Sequence, residues 1–351
     1  MGYKFVKTDD GSVGLFDDEV NDIYHSSSGA YKEALDKFII PSQINRFKNS
    51  KCRVLDICYG IGYNTKALIN YSAQNNLNID FEIDALEMNE ELIQISPFIK
   101  LQKNSEIENE TDKFILNSIL KCQKIDLYKI KSIINKNKNF LTFYKPNFEN
   151  ILQNHGYNYG VLDKINAFLH NIYYHYKSIR YKIPQKTYNL NKTTLKWHVG
   201  DARKSILELT NKYDLIFHDG FMASKQPTLW TKEFLTIICR LLNNNSGVIV
   251  SYSTASPFRK TLIDNGLCVG KYYIEKINST VASYNENLVK YKLQGFESDL
   301  LYTKAGIPYS DDNLSNSCEM ILQARNIALN NSNLESTSQF YKRNGKKHGE
   351  C

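Results

Sequence analysis

Four acidic residues, Asp56, Glu87, Asp201 and Asp219, each close or follow a short apolar run, and Gly60, Gly62, Gly200 and Gly220 stand near them. A carboxylate at the end of a buried strand accepts hydrogen bonds from ligand hydroxyl or amino groups, and glycine lets the backbone approach a ligand closely. In VLDICYGIGYNT, Val54 to Thr65, a short buried strand runs into a glycine turn that opens a helix. Asp56 can hold a polar or cationic part of a ligand there. Glu87, closing the run Asp80 to Glu87, stands where a ribose diol would be accepted. Asp201, in the segment VGDA, would accept from an adenine amino group. Any one of these is equally a helix cap or loop carboxylate. Their order along the chain is what describes a nucleoside cofactor lying across one sheet edge. No G-x-x-x-x-G-K-[ST] loop occurs, which disfavours a nucleoside triphosphate.

Strands and helices must alternate to bring these residues together. A small hairpin is expected at Tyr3 to Val6 and Val13 to Phe16, followed by the loop YHSSSGAYKEA and a helix from about Ala30 to Ile40. Then come the glycine-turn strand, a helix at Thr65 to Ser72, and the strand ending at Glu87. Further strands are expected at 195–199, 213–218 and 247–252, and helices to about Leu209, at 233–242 and at 257–265. This is the pattern of a doubly wound α/β sheet. An antiparallel addition at 269–276, 281–283 and 300–303 would complete it. The stretch 101–190 breaks the alternation and reads as a mainly helical insertion. The boundaries expected are therefore 1–100 and 191–330 for the sheet domain, 101–190 for the insertion, and 331–351 for a flexible basic tail.

The bulk composition fits a soluble globular chain: 351 residues, 42% hydrophobic and 23% charged. No apolar run is long enough for a membrane span, and the N-terminus lacks a signal-peptide core. Seven cysteines without a C-x-x-C pair fit reduced thiols in a cytoplasmic protein, and no metal site is expected. His198 and His218 fall in strands and read as core or hydrogen-bonded residues. His170 and His175 do not make a metal pair. The net charge of +7 is compatible with a polyanionic partner.

This arrangement resembles the class I S-adenosylmethionine-dependent methyltransferases, a Rossmann-like α/β class. The segment LIFHDGFMASKQPTLWTKEFL, Leu215 to Leu235, is similar to the MnmC-type methyltransferase family, which completes the 5-methylaminomethyl group on the tRNA wobble uridine. The segments YHSSSGAYKEA, VSYSTASPFRKTLIDNGL, STVAS and AGIPYSDDNL agree with that family. The resemblance covers about 1–100 and 195–325. It departs at Met222 and Ala223, where the family has proline and alanine.

The resemblance implies S-adenosyl-L-methionine as cofactor, held by Glu33, Asp56, Gly60, Gly62, Asn64, Glu87, Gly200 and Asp201. It implies Asp219 as the catalytic residue, orienting an amine and accepting its proton. Phe221, Tyr252 and Ser253 would line the uridine pocket, with Lys225 and Arg259 on tRNA phosphates and Trp230 as a packing anchor. His25 and Ser26 would cover the cofactor. Many family members carry a second, flavin-dependent domain; here a stand-alone methyltransferase is expected, acting after enzymes that install the aminomethyl group. The rival readings are an aminopropyltransferase, another small-amine methyltransferase, and a non-catalytic RNA-binding module.

Overall fold

Residues 52–57 alternate in the direction they send their side chains, so Cys52 and Val54 enter one apolar cluster while Leu55 and Ile57 enter another. A strand buried on both faces belongs in the middle of a parallel sheet covered by helices on each side. The computed structural model shows that arrangement. It describes residues 3–18, 22–23, 29–99, 106–122, 136, 192–274 and 277–345. His25, Ser26, His170 and His175 lie outside them.

The strands are β1 Tyr3–Lys7, β2 Val13–Asp17, β3 Asp22–Ile23, β4 Lys51–Ile57, β5 Asp80–Glu87, β6 Thr194–Val199, β7 Leu215–His218, β8 Val248–Ser251, β9 Cys268–Ile274, β10 Ile277–Ser283 and β11 Tyr291–Lys292. β1 to β3 make a small separate sheet. The other eight form one sheet in the order β11-β9-β10-β8-β7-β4-β5-β6. β4 to β8 run parallel, and β9, β10 and β11 antiparallel. This is the Rossmann-like order of class I methyltransferases. From β4 the chain moves outward through β5 to β6, then crosses back to β7 on β4's other side, so the order reverses between β4 and β7.

Register decides what shares the edge. Ile57 is level with Leu86 and His218, His218 with Ser251, and Glu87 with Val199. The residues that follow, Cys58, Met88, Gly200, Asp219 and Tyr252, therefore leave the sheet at one level. One face is covered by the helix Ala30–Ala34 with its π-helical continuation Leu35–Ile39, and by the helices Tyr63–Gln74 and Glu106–Cys122. The other is covered by Lys232–Leu241 and Ser256–Asp264. The hairpin tucks Val13 and Leu15 into the first cluster.

Two expectations need correction, and a third gains detail. Residues 300–303 do not form a strand. Gly295, at φ 53°, starts the short helix Phe296–Leu300, and the last rung of the sheet is β11 instead. The helix Glu106–Cys122, within the expected helical insertion, packs on the core: Ile115 and Ile119 are fully buried, and Asp112 pairs with the buried Lys66 at 2.8 Å. Its polar surface hides a docking face that single-sequence composition does not show. Finally, residues 331–345 are not a loose tail. Ser336 and Gln339 form a capping box on the helix Thr337–Arg343, whose Phe340 packs on Phe296 with ring centroids 4.9 Å apart. Residues 346–351 lie outside the described part.

Candidate active site

The turn after β4 is held open by its backbone. Gly60 and Gly62 sit at φ 56° and 84°, and Cys58 shares the left-handed region at φ 66°. Cys58 and Tyr59 both donate their backbone N–H groups to the Leu86 carbonyl, and Gly60 N–H donates to Glu87 Oε2 at 2.7 Å. A side chain at Gly62 would run into the Tyr59 hydroxyl, which is itself bonded to Ser96 Oγ at 2.8 Å. The Tyr59 ring stands edge-on to Trp197. Glycine is therefore required at Gly62 for both backbone angle and space, and the helix Tyr63–Gln74 starts immediately after it.

Carboxylates converge on this turn. Asp56 is fully buried; Oδ2 accepts from Thr65 Oγ1 at 2.7 Å, and Oδ1 has no hydrogen-bond partner among the described residues. Burial pushes its carboxyl up to about 7, with Thr65 opposing and Glu87 adding to the shift. Glu87 is raised by burial too, although Oε1 and Oε2 accept from the backbone N–H groups of Asn89 and Gly60. Asp219 begins the loop after β7. Burial and the nearby Glu33 push it up to about 8, against a 2.8 Å hydrogen bond donated by Asn64 Nδ2 to its Oδ2. Lys37 pulls the other way; it pairs with Glu33 at 2.5 Å and lies over the Tyr252 ring. The centre thus gathers carboxylates that burial and one another's charge make costly to ionise, which a cationic ligand would relieve.

The loop following Asp219 is pinned at three carbonyls. Tyr252 hydroxyl donates to Gly220 O at 2.8 Å, Trp230 Nε1 to Phe221 O at 2.7 Å, and His218 Nε2 bonds Leu229 O at 2.9 Å. His218 is buried against Trp230 and Phe258, and burial lowers it to about 4, so it is a neutral packing residue, as its place in a strand suggested. Trp230 is 1% exposed and anchors the loop. Lys225 is exposed on the same loop, and Phe221, Tyr252 and Ser253 are half-buried around it.

One expectation, the exposure of Arg259, changes at this site. Arg259 is 5% exposed: Nε donates to Thr280 Oγ1 at 2.8 Å, Thr280 Oγ1 donates to Ser253 O at 2.6 Å, and burial lowers the guanidinium to about 10. It is enclosed under the Ser253 loop and cannot reach a phosphate; the helical period of its segment turned it inward. Asp201 does cap a helix. It accepts from Arg203 N–H at 2.9 Å, and Arg203 bridges it to the buried Asp311, holding Asp201 below the usual carboxylate range although burial works against this. Gly200 beside it has φ 127° with open space around its missing Cβ. Lys37 and Cys58 carry no motif that marks them in the sequence. The (i, i+4) spacing of Glu33 and Lys37 was the available signal.

The groups present fit S-adenosylmethionine. The buried, unpartnered Asp56 Oδ1 and the acidic excess suit a cationic ligand, and the left-handed glycine turn leaves room for close approach. Met88 and Val199 are 68% and 42% exposed at the ends of β5 and β6, so apolar side chains stand uncovered near Gly200. Among the described residues no group of three or more ligating side chains could hold a metal ion, and no helix is long and apolar enough to cross a membrane.

Comparison with known proteins agrees. A family model described as S-adenosyl-L-methionine-dependent methyltransferase matches residues 163–284, starting inside the stretch expected to be an insertion. An uncharacterized protein of Methanocaldococcus jannaschii is 29% identical over 325 residues, covering 91% of this chain and 70% of its own length. The tRNA 5-methylaminomethyl-2-thiouridine biosynthesis bifunctional protein MnmC of Pseudomonas putida is 28% identical over 96 residues, which are 27% of this chain and 14% of that protein. The crystal structure of MnmC2 from Aquifex aeolicus superposes with a TM-score of 0.64 at 24% identity, covering 94% of this chain and 86% of that one.

Sheet order, glycine turn and family model together define a class I S-adenosyl-L-methionine-dependent methyltransferase. Within that class the chain is similar to MnmC, of whose length the match spans only 14%. Gly62→Ala is expected to weaken S-adenosylmethionine binding at least tenfold by calorimetry, since a left-handed non-glycine residue costs roughly 1–2 kcal/mol before the Tyr59 clash is added. Binding within twofold of the parent would show that the turn does not touch the cofactor.

Proposed function

We propose that this chain methylates the primary amine of 5-aminomethyl-(2-thio)uridine at the tRNA wobble position, giving 5-methylaminomethyl-(2-thio)uridine. The observation that carries this reading is Asp219, set where the sheet order reverses, beside Asn64 and Glu33 and at the head of a loop pinned by Tyr252, Trp230 and His218. Asp56, Gly60, Gly62, Asn64, Glu87, Gly200 and Asp201 hold the cofactor in this proposal, with Asp201 receiving the adenine amino group and Glu87 the ribose. When bound, S-adenosylmethionine supplies an electrophilic methyl whose bond to sulfur breaks as the amine nitrogen bonds the carbon.

The amine must reach that carbon neutral, and Asp219 is the base within the cluster that removes its proton. Phe221, Tyr252 and Ser253 flank the acceptor loop and offer ring faces and hydroxyls to a splayed uridine. Lys225, exposed on the same loop, supplies positive charge toward the RNA backbone. A reaction that leaves a primary amine on the uridine C5 substituent must come earlier.

The test combines the purified chain, labelled S-adenosylmethionine and tRNA lacking only the last methyl, read by nucleoside mass spectrometry. A gain of one methyl on 5-aminomethyluridine is expected. Because the base must be ionised, kcat/KM should rise with pH through about 8, the value to which Asp219 is pushed. Methyl transfer to small amines but not to this tRNA would sink the wobble-uridine assignment and leave the methyltransferase class standing.

A further inference from the structure

The tip of the N-terminal hairpin is bonded to the helix that supplies Glu33. Asp10 Oδ1 accepts from Thr8 Oγ1 at 2.9 Å, from Ser12 N–H at 2.9 Å and from Ser12 Oγ at 2.5 Å. Its other oxygen, Oδ2, accepts from Lys32 N–H at 3.1 Å, and Ser12 Oγ accepts from Ala30 N–H at 2.9 Å. Ser12 is fully buried, and Gly29, at φ 139°, passes so close that a side chain there would run into Asp10. Two of the helix's otherwise orphaned N–H groups are thus satisfied by a separate sheet. Farther along β2, Val13 N–H and C=O both bond the Tyr63 hydroxyl, at 2.9 and 2.8 Å, one residue after Gly62.

We propose that Asp10 and Ser12 are positioning residues for the methyl-transfer centre, latching the hairpin to the helix Ala30–Ala34 so that Glu33 and Lys37 stand against Asp219. The inference rests on the reading of Asp219 given above. The charged and titratable groups facing Asp219 are Glu33 and Lys37 from this helix and its continuation, Asp56 from β4 and Cys58 from the glycine turn, with neutral Asn64 from the helix Tyr63–Gln74. Of the charged groups among these, the Glu33–Lys37 pair stands on an element whose start is fastened by the hairpin; the helix Tyr63–Gln74, also held by the hairpin through Tyr63, brings only the neutral Asn64. A loosened latch lets that pair withdraw, which removes the like charge of Glu33 together with the smaller opposing pull of Lys37, so the hold of Asp219 on its proton weakens.

Asp10→Asn cuts the latch selectively, because the amide oxygen still serves Thr8 and Ser12 while its NH2 faces the Lys32 N–H. Ser12→Ala removes the bond to Ala30 and keeps the Asp10 charge. Asp9→Asn, one residue away and exposed, controls for lost charge alone.

The measurement is the carboxyl 13C titration of Asp219 in cofactor-free protein labelled at aspartate, assigned through Asp219→Asn. Glu33→Gln should lower the midpoint by roughly one pH unit, the scale expected of one nearby like charge. Asp10→Asn and Ser12→Ala should move it the same way, Asp9→Asn should not, and adding Asp10→Asn to Glu33→Gln should give little further change. A midpoint unmoved in both latch variants, with only thermal stability reduced, would overturn the proposal. If Asp10→Asn fails to fold, Ser12→Ala decides it. The pH dependence of S-adenosylmethionine affinity, measured in parallel, should shift with the midpoint. No affinity in the parent protein would sink the function proposed above while the titration still reads the latch.

Discussion

Asp219→Asn is expected to lower turnover by roughly 10²- to 10⁴-fold, the range that a positioned general base contributes, while S-adenosylmethionine affinity stays within a few-fold of the parent. The substitution is nearly isosteric, and the new side-chain carbonyl can still accept from Asn64 Nδ2, which now bonds Asp219 Oδ2 at 2.8 Å. Stability supplies a second readout with a definite sign. Asp219 is raised in the folded protein to about 8, from an ordinary value of 3.8. The folded state therefore binds the proton more tightly than the unfolded chain. Its contribution is fully present below the ordinary value and is lost as pH rises through about 8. Asp219→Asn should accordingly gain stability over the parent above pH 8 and show a flatter dependence below it. Full turnover in the variant, measured as single-turnover methyl transfer, would reject the role of Asp219 as base; an unchanged stability profile would reject the buried carboxyl.

The second large effect concerns stability. Lys66 is completely buried and pairs with Asp112 at 2.8 Å, and it also donates to the Ser96 carbonyl at 2.5 Å. Removing one partner of such a pair leaves an uncompensated buried charge, at a cost of about 3–5 kcal/mol. Asp112→Ala should therefore unfold at much lower urea concentration than the parent, whereas the double replacement Lys66→Met with Asp112→Leu should recover most of the loss. Ser96 Oγ holds the Tyr59 hydroxyl beside Gly62, so Asp112→Ala should also weaken cofactor binding. A loss below about 1 kcal/mol would mean that water relieves the buried charge. The same pair limits deletions meant to probe RNA docking: they have to spare the helix Glu106–Cys122.

Much of the framework was legible because it is written in local patterns. Near-continuous apolar runs at 54–57, 215–218 and 248–250 mark strands buried on both faces, and the glycines after Asp56 mark a backbone that must turn left-handed. The carboxylates Glu87 and Asp219 follow from those strands, because a parallel sheet in register delivers its C-terminal ends to one edge. The hairpin, too, was visible in its Asp-Gly turn.

What needed the tertiary structure was every relation between elements. Arg259, basic and eligible for a phosphate by composition, is turned inward onto Thr280. Glu106–Cys122 looked like part of an appended segment and proved to carry half of a buried ion pair. The segment after residue 331 looked loose until Phe340 met Phe296, and Glu33 and Lys37 gained their place against Asp219 only through a hairpin two elements away. Local periodicity records which face of an element is apolar; it carries no term for which other face will meet it. A lone polar or charged side chain at such a meeting is stable only with its partner, and the partner is chosen by the packing of distant segments.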